Sequence, residues 1–129
     1  VSLEAVIANL LNVASVKAIT GDRISLAQRP ADGGYPALVY NVEEVETMNH
    51  FSESGALRQG RVQVTSLAVE PTAAVSLRQA VVNAMRHQRG TFAGHRVLDV
   101  LQDSSGGTER DNDAGIWMTT QDFVVTFYE

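Results

Sequence analysis

Residues 71–85, PTAAVSLRQAVVNAM, place apolar side chains at Ala74, Leu77, Val81, Ala84 and Met85. That spacing returns every three to four residues and predicts an amphipathic helix with one buried stripe. Segments with strand-like character stand on either side, Arg61–Val69 before it and Phe92–Gln102 and Ile116–Tyr128 after it. A one-sided helix set among half-buried strands has to bury its stripe against a sheet, which constrains the chain to helix-on-sheet packing. Pro71 and Thr72 mark the start, with Thr72 as the expected cap. Arg86, His87 and Arg89 suit the negative end of the helix, and Gly90 is expected to terminate it.

A second stripe runs through Leu3, Val6, Ile7, Leu10, Leu11 and Ala14 and predicts a helix over about residues 3–15, with Ser2 as cap and Glu4 near its positive end. Gly21-Asp22 reads as a turn, and residues 22–28 as a short strand. Residues 29–36 hold two prolines and two glycines and read as a loop, and Ala37–Val42 as a strand. Glu43–Gln59 has no clean period and reads as a strand end followed by a loop. Asp103–Gly115, DSSGGTERDNDAG, reads as a second long polar loop. Both loops are expected to order only on assembly; Asp103–Gly115 has three glycines and no large apolar residue to offset its ordering entropy. The resulting order, α-β-β-β-α-β-β, predicts an α+β fold: a mainly antiparallel sheet of about four to five strands with two helices packed on one face. Leu10, Leu77, Val81, Trp117 and Phe123 are the expected core. At 129 residues the chain is expected to be one domain, 1–129.

Composition narrows the function. There are no cysteines, which removes disulfides, thiolate nucleophiles and cysteine zinc sites together. The formal charge of −5 argues against tight nucleic-acid binding, which needs clustered positive charge. Nine of the ten basic residues are Arg, a bias that protein interfaces favour and that a GC-rich genome also produces. No apolar run reaches the length of a membrane span, and no basic segment precedes the apolar stretch at residues 3–16, so synthesis and folding in the cytoplasm are expected. Phosphate-loop, dinucleotide, nucleophile-elbow and zincin motifs are missing from the sequence. His50, His87 and His95 match no metal-ligand spacing. Glu109-Arg110-Asp111-Asn112-Asp113 alternates its acids like a calcium loop, but Ala114 stands where the sharp turn needs glycine and Thr120 where a bidentate Glu belongs. What remains is a concentration of charge. The 22 residues of Glu43–Glu53 and Asp103–Asp113 hold eight of the fifteen acids. Solvated loops account for that pattern, and so do two arms that present negative charge to a partner.

Seven strings in order give the chain a family likeness. They are SLEAVIANLL at the start, GDRI at Gly21–Ile24, YPALVYNV at Tyr35–Val42, RVQVTSLA at Arg61–Ala68, PTAAVSLRQAVVNAM at Pro71–Met85, RGTFAGHRVLDV at Arg89–Val100 and QDFVVTFYE at Gln121–Glu129. The chain resembles the tail completion, or tail terminator, proteins of tailed bacteriophages, which are related to head–tail joining proteins. The resemblance implies a structural virion protein and not an enzyme, with no catalytic residues and no cofactor. It implies a homo-oligomeric ring, usually a hexamer, at the head-proximal end of the tail. The ring stops polymerisation of the tail tube protein and offers the joint to the head–tail connector proteins, in the host cytoplasm during assembly and in the virion tail or neck thereafter. No membrane partner is implied. DNA passes through such a ring without specific binding. Glu43, Glu44 and Glu46 are then first candidates to line the channel, and Asp111 and Asp113 second. The competing expectation is that these acids pair with Arg58, Arg61 or Arg110 of an adjacent subunit. The alternatives in function are another neck or minor tail component of the same fold, or a cytoplasmic small-molecule binding module.

Overall fold

The computed structural model describes residues 3–26, 34–52, 55–112 and 115–128. Three helices and six strands follow one another: Leu3–Leu11 (α1), Ala14–Thr20 (α2), Ile24–Leu26 (β1), Ala37–Ser52 (β2), Gly55–Ala68 (β3), Pro71–Met85 (α3), Gly90–Phe92 (β4), His95–Asp111 (β5) and Ile116–Tyr128 (β6). The sheet order is β1-β2-β3-β6-β5-β4, with β1 parallel to β2 and the other neighbours antiparallel. The expectation of two helices and four to five strands is therefore corrected to three helices on a six-stranded mixed sheet.

Each departure has a local cause. The single helix expected over residues 3–15 breaks at Asn12-Val13, where Val13 is extended (φ −117, ψ 155), and the two pieces meet at 80°. The bend lets Val16 of α2 reach the same core as Val6, Ile7 and Leu10 of α1. The helix α2 ends at Gly21, whose φ of 61 suits a residue without Cβ and whose N–H donates to the Lys17 carbonyl at 2.8 Å. At the start of α3 the cap position is Glu70, not Thr72, and Pro71 takes the first helical turn, where its missing N–H costs nothing. The helix stops at Met85 and not at Gly90: Arg86 turns extended, and His87 takes φ 60 and donates its N–H to the Val100 carbonyl at 2.8 Å. Gly90 instead opens β4.

The two segments expected as loops are strands. Residues 43–52 continue β2 and pair with β3 in register, Glu44 with Arg61, Glu46 with Gln59, Thr47 with Arg58 and Ser52 with Gly55. Residues 103–111 continue β5, with Thr108 opposite Thr119 and Asp111 opposite Ile116. Hydrogen exchange should accordingly find about every second amide of residues 108–111 protected in the isolated protein, since β5 is bonded there on its β6 side. Uniformly fast exchange across that stretch would contradict the pairing.

Alternate residues of the central strands face the helices. Val62 and Val64 of β3 and Phe123, Val125 and Phe127 of β6 meet Leu3, Ile7, Leu77, Val81 and Met85 in one buried cluster. Of the expected core, Leu10, Leu77, Val81 and Phe123 are buried. Trp117 is only half-buried and lines a groove with Pro71, Val75 and Thr108. Leu77 is fully buried, and Leu77→Ala is expected to cost about 2–5 kcal/mol, read as a lower denaturation midpoint.

Candidate assembly and channel surface

Because the helices cover one face of the sheet, the intervening residues form the opposite face. Along β3 these are Arg61, Gln63 and Thr65. Along β6 they are Thr120, Asp122, Val124 and Thr126, each of intermediate exposure. Directly opposed residues share a face. Thr65 stands against Thr120 with hydroxyls 3.3 Å apart, Gln63 against Asp122, and Arg61 against Val124. The surface is thus largely hydroxyl and amide, with an exposed Leu101 on β5 beside Val124.

One ion pair crosses this face. The Arg61 guanidinium donates from Nη1 to Oδ2 of Asp103, reaching from β3 over Val124 of β6 to β5. The register of β5 against β6 steps by one residue between Gln102 and Ser104, so Asp103 sits in a bulge. Alternation from Leu101, the partner of Val124, already puts Asp103 on this face, and the bulge breaks the regular ladder beside it. Both partners are about two-fifths exposed, 39% and 42%, so the pair contributes little to folding and fixes mainly where the cation points.

The structure distributes the sequence candidates over distinct places. Glu44 stands opposite Arg61 and Glu46 opposite Gln59, while Glu43 lies at a register step between Val42 and Glu44. Arg58 stands opposite Phe127, on the helix-bearing face, so Arg58 and Arg61 belong to opposite faces of the sheet. Arg110 pairs in register with Trp117 and Asp111 with Ile116. Seven residues of β6 separate Trp117 from Val124, which puts Arg110 roughly 24 Å along the strand direction from Arg61. The Arg110 Nη1 donates to Asn112 Oδ1 at 2.6 Å within its own chain. Asp113 lies outside the described residues. The two acidic stretches therefore belong to different strands; Asp103 lies nearly level with Glu44, while Glu109 and Asp111 lie toward the other end of the sheet. Sequence reasoning missed the Arg61–Asp103 pair, because residues 103–111 read as a loop and the pairing of β3 and β5 with β6 is set by register.

Two further features bear on the alternatives. A cleft of about 460 Å³ lies between α1, α2 and the β1–β2 edge, with Asn9, Asn12, Lys17 and Tyr40 among its walls. Burial, and after it the Glu4 carboxylate, pushes the Tyr40 phenol above its ordinary pKa. Among the described residues no three His, Asp or Glu side chains converge as a metal site. No single helix is long and apolar enough to cross a membrane.

Residues 4–128 match the family model described as tail completion protein gp17. The chain belongs to that family. The tail completion protein is a structural component and not a catalyst; it acts in the tail and neck of a phage-like particle, where the tail is joined. Its fold recurs in a solved chain titled "Virion of native gene transfer agent (GTA) particle", with a TM-score of 0.75 at 14% identity, over 98% of this chain and 95% of that one. No curated protein matches the chain in sequence.

Proposed function

We propose that copies of the whole chain, acting as one domain over residues 1–129, close into a ring of six at the head-proximal end of the tail. There the ring ends the tail tube and carries the joint to the head–tail connector. The observation that carries this reading is a pair of unlike open edges on one sheet. β1 pairs only with Leu38–Tyr40 of β2, and β4 only with the His95–Val97 end of β5. Among the described residues no strand lies outside 41–52 of β2 or 101–110 of β5. A sheet with two different open edges joins copies heterologously, and a heterologous joint that closes makes a ring. The strands β2 and β5 run in opposite directions, so the edge of one copy meets that of the next antiparallel. The helices then lie outside and the helix-free face lines the channel, with Glu43, Glu44 and Glu46 on β2 as its principal acids and Asp111 at its margin.

Both edges carry acids, Glu43, Glu44 and Glu46 on one and Asp103 and Glu109 on the other. Their repulsion holds copies apart until a tube end gathers them, as edge charges commonly guard a sheet. Light scattering of the purified protein, alone and with tail tube protein, tests the reading. The expected result is a species of six times the 13.9 kDa chain, favoured by tube ends. Raising the salt also favours it, because added ions screen the edge acids beyond about one Debye length, ~8 Å at physiological strength. A protein that stays monomeric at every concentration and binds no tube end would overturn it.

A further inference from the structure

We infer that Asp103 keeps Arg61 from holding DNA, so that the channel face lets a duplex slide; this rests on the ring reading above. Beside the Asp122 carboxylate, the helix-free face offers a passing duplex hydroxyls and amides, Thr65, Thr120, Thr126 and Gln63, which bind phosphate weakly through neutral hydrogen bonds. Arg61 is the cation at the middle of that face, and Arg96 lies at its β4 end. A planar guanidinium matches a phosphate in two-point geometry, which makes an unmasked Arg61 the strongest phosphate holder on the surface. Repeated around a ring, it would grip the duplex from every side, and each phosphate held releases a counterion and adds affinity. Asp103 forestalls this. It accepts from the guanidinium within the chain, from a position two residues beyond Leu101, the register partner of Val124. Glu44 is the register partner of Arg61 on β2.

The same geometry explains why the partner is a polyanion in transit and not a docked protein. A face meant for a protein partner would be more apolar at its centre and would leave its arginine to anchor that partner. Here the arginine is already engaged, and Val124 and Leu101 beside it are outnumbered by Gln63, Thr65, Thr120, Asp122 and Thr126.

The test compares rings of the wild type, Asp103→Asn, Asp103→Asn with Glu44→Gln, and Asp103→Asn with Arg61→Gln. The probe is a linear DNA duplex, with affinity measured over a range of salt. Asp22→Asn is the control: it removes the same charge at a site 99% exposed and away from this face. Wild-type rings are expected to hold the duplex weakly. Asp103→Asn should tighten binding several-fold at low salt and steepen the dependence of log K on log salt by about 0.9 for each phosphate newly held. Adding Arg61→Gln should return both to wild type, and Asp22→Asn should change neither. Rings that form but bind DNA no better with both carboxylates neutralised overturn the inference while leaving the ring standing. A gain that persists without Arg61 also overturns it, since charge alone then accounts for the effect. Wild-type chains that make no ring overturn the proposed function and this inference with it.

Discussion

Phe123→Ala is expected to lower the stability of the isolated chain by about 3–5 kcal/mol, the cost of deleting a large aromatic side chain from a packed interior. Phe123 is fully buried on β6, with Val62 of β3 and Gln102 of β5 as its register neighbours, and it joins the cluster that holds Leu77, Val81 and Met85 of α3. Its position at the middle of the six-stranded sheet makes the site hard to collapse, because β3 and β5 fix β6 from both sides. A domain of this size has only about 5–15 kcal/mol in total. The loss therefore removes about a fifth or more of it, and the thermal midpoint should fall by roughly 10–20 °C, given ~2.1 cal/mol/K of unfolding entropy per residue. Denaturant titration should show a lower midpoint with an unchanged slope, and Phe123→Leu should recover much of the loss. An unaltered midpoint for the alanine variant would place Phe123 outside the core.

The expected helices and strands show which physical signals a sequence carries. The 71–85 stripe is legible because one face of α3 is buried along its whole length, from Ala74 to Met85. The break at Asn12-Val13 was not, since Leu10, Leu11 and Ala14 satisfy the helical period on both sides of it. The stretches 43–52 and 103–111 read as loops because the first scatters Val45, Met48 and Phe51 over both parities and the second has no large apolar residue, leaving no alternation to detect. Their strand state comes from hydrogen bonding to β3 and β6, a tertiary cause that outweighs local preference. The three-residue strands β1 and β4 exist for the same reason, each held by a longer neighbour. At the candidate surface, acidic concentration pointed to β2 and β5, but the level of each acid along the sheet, the opposite faces of Arg58 and Arg61, and the Arg61–Asp103 pair all depend on register. No spacing rule in the sequence encodes those.

Reversing two charges on β2 is expected to have the largest effect on function. Glu43→Lys with Glu44→Lys adds two charges at each position and moves the chain from −5 to −1. In a ring of six the swing is multiplied sixfold around one narrow opening, where a duplex carries one negative charge per roughly 1.7 Å of axis. If these residues face the channel, rings still form, more readily as the edge repulsion is relieved, but DNA is held and its passage slows, with the slowing relieved as salt rises. The rival account sets the same acids against arginines of an adjacent subunit, where they fix ring register. The fold weakens that account at two positions: Arg61 is engaged by Asp103 and Arg110 by Asn112, each within its own chain. Arg58 is the third arginine of that account, so the double reversal is paired with Arg58→Glu. Rings that fail in the double variant and return when Arg58 is reversed as well would establish the interface account and remove Glu43 and Glu44 from the channel. Rings that persist, together with salt-sensitive retention of DNA, would instead show that β2 lines the path of the duplex, because only a charge within about one Debye length of the phosphates can act on them.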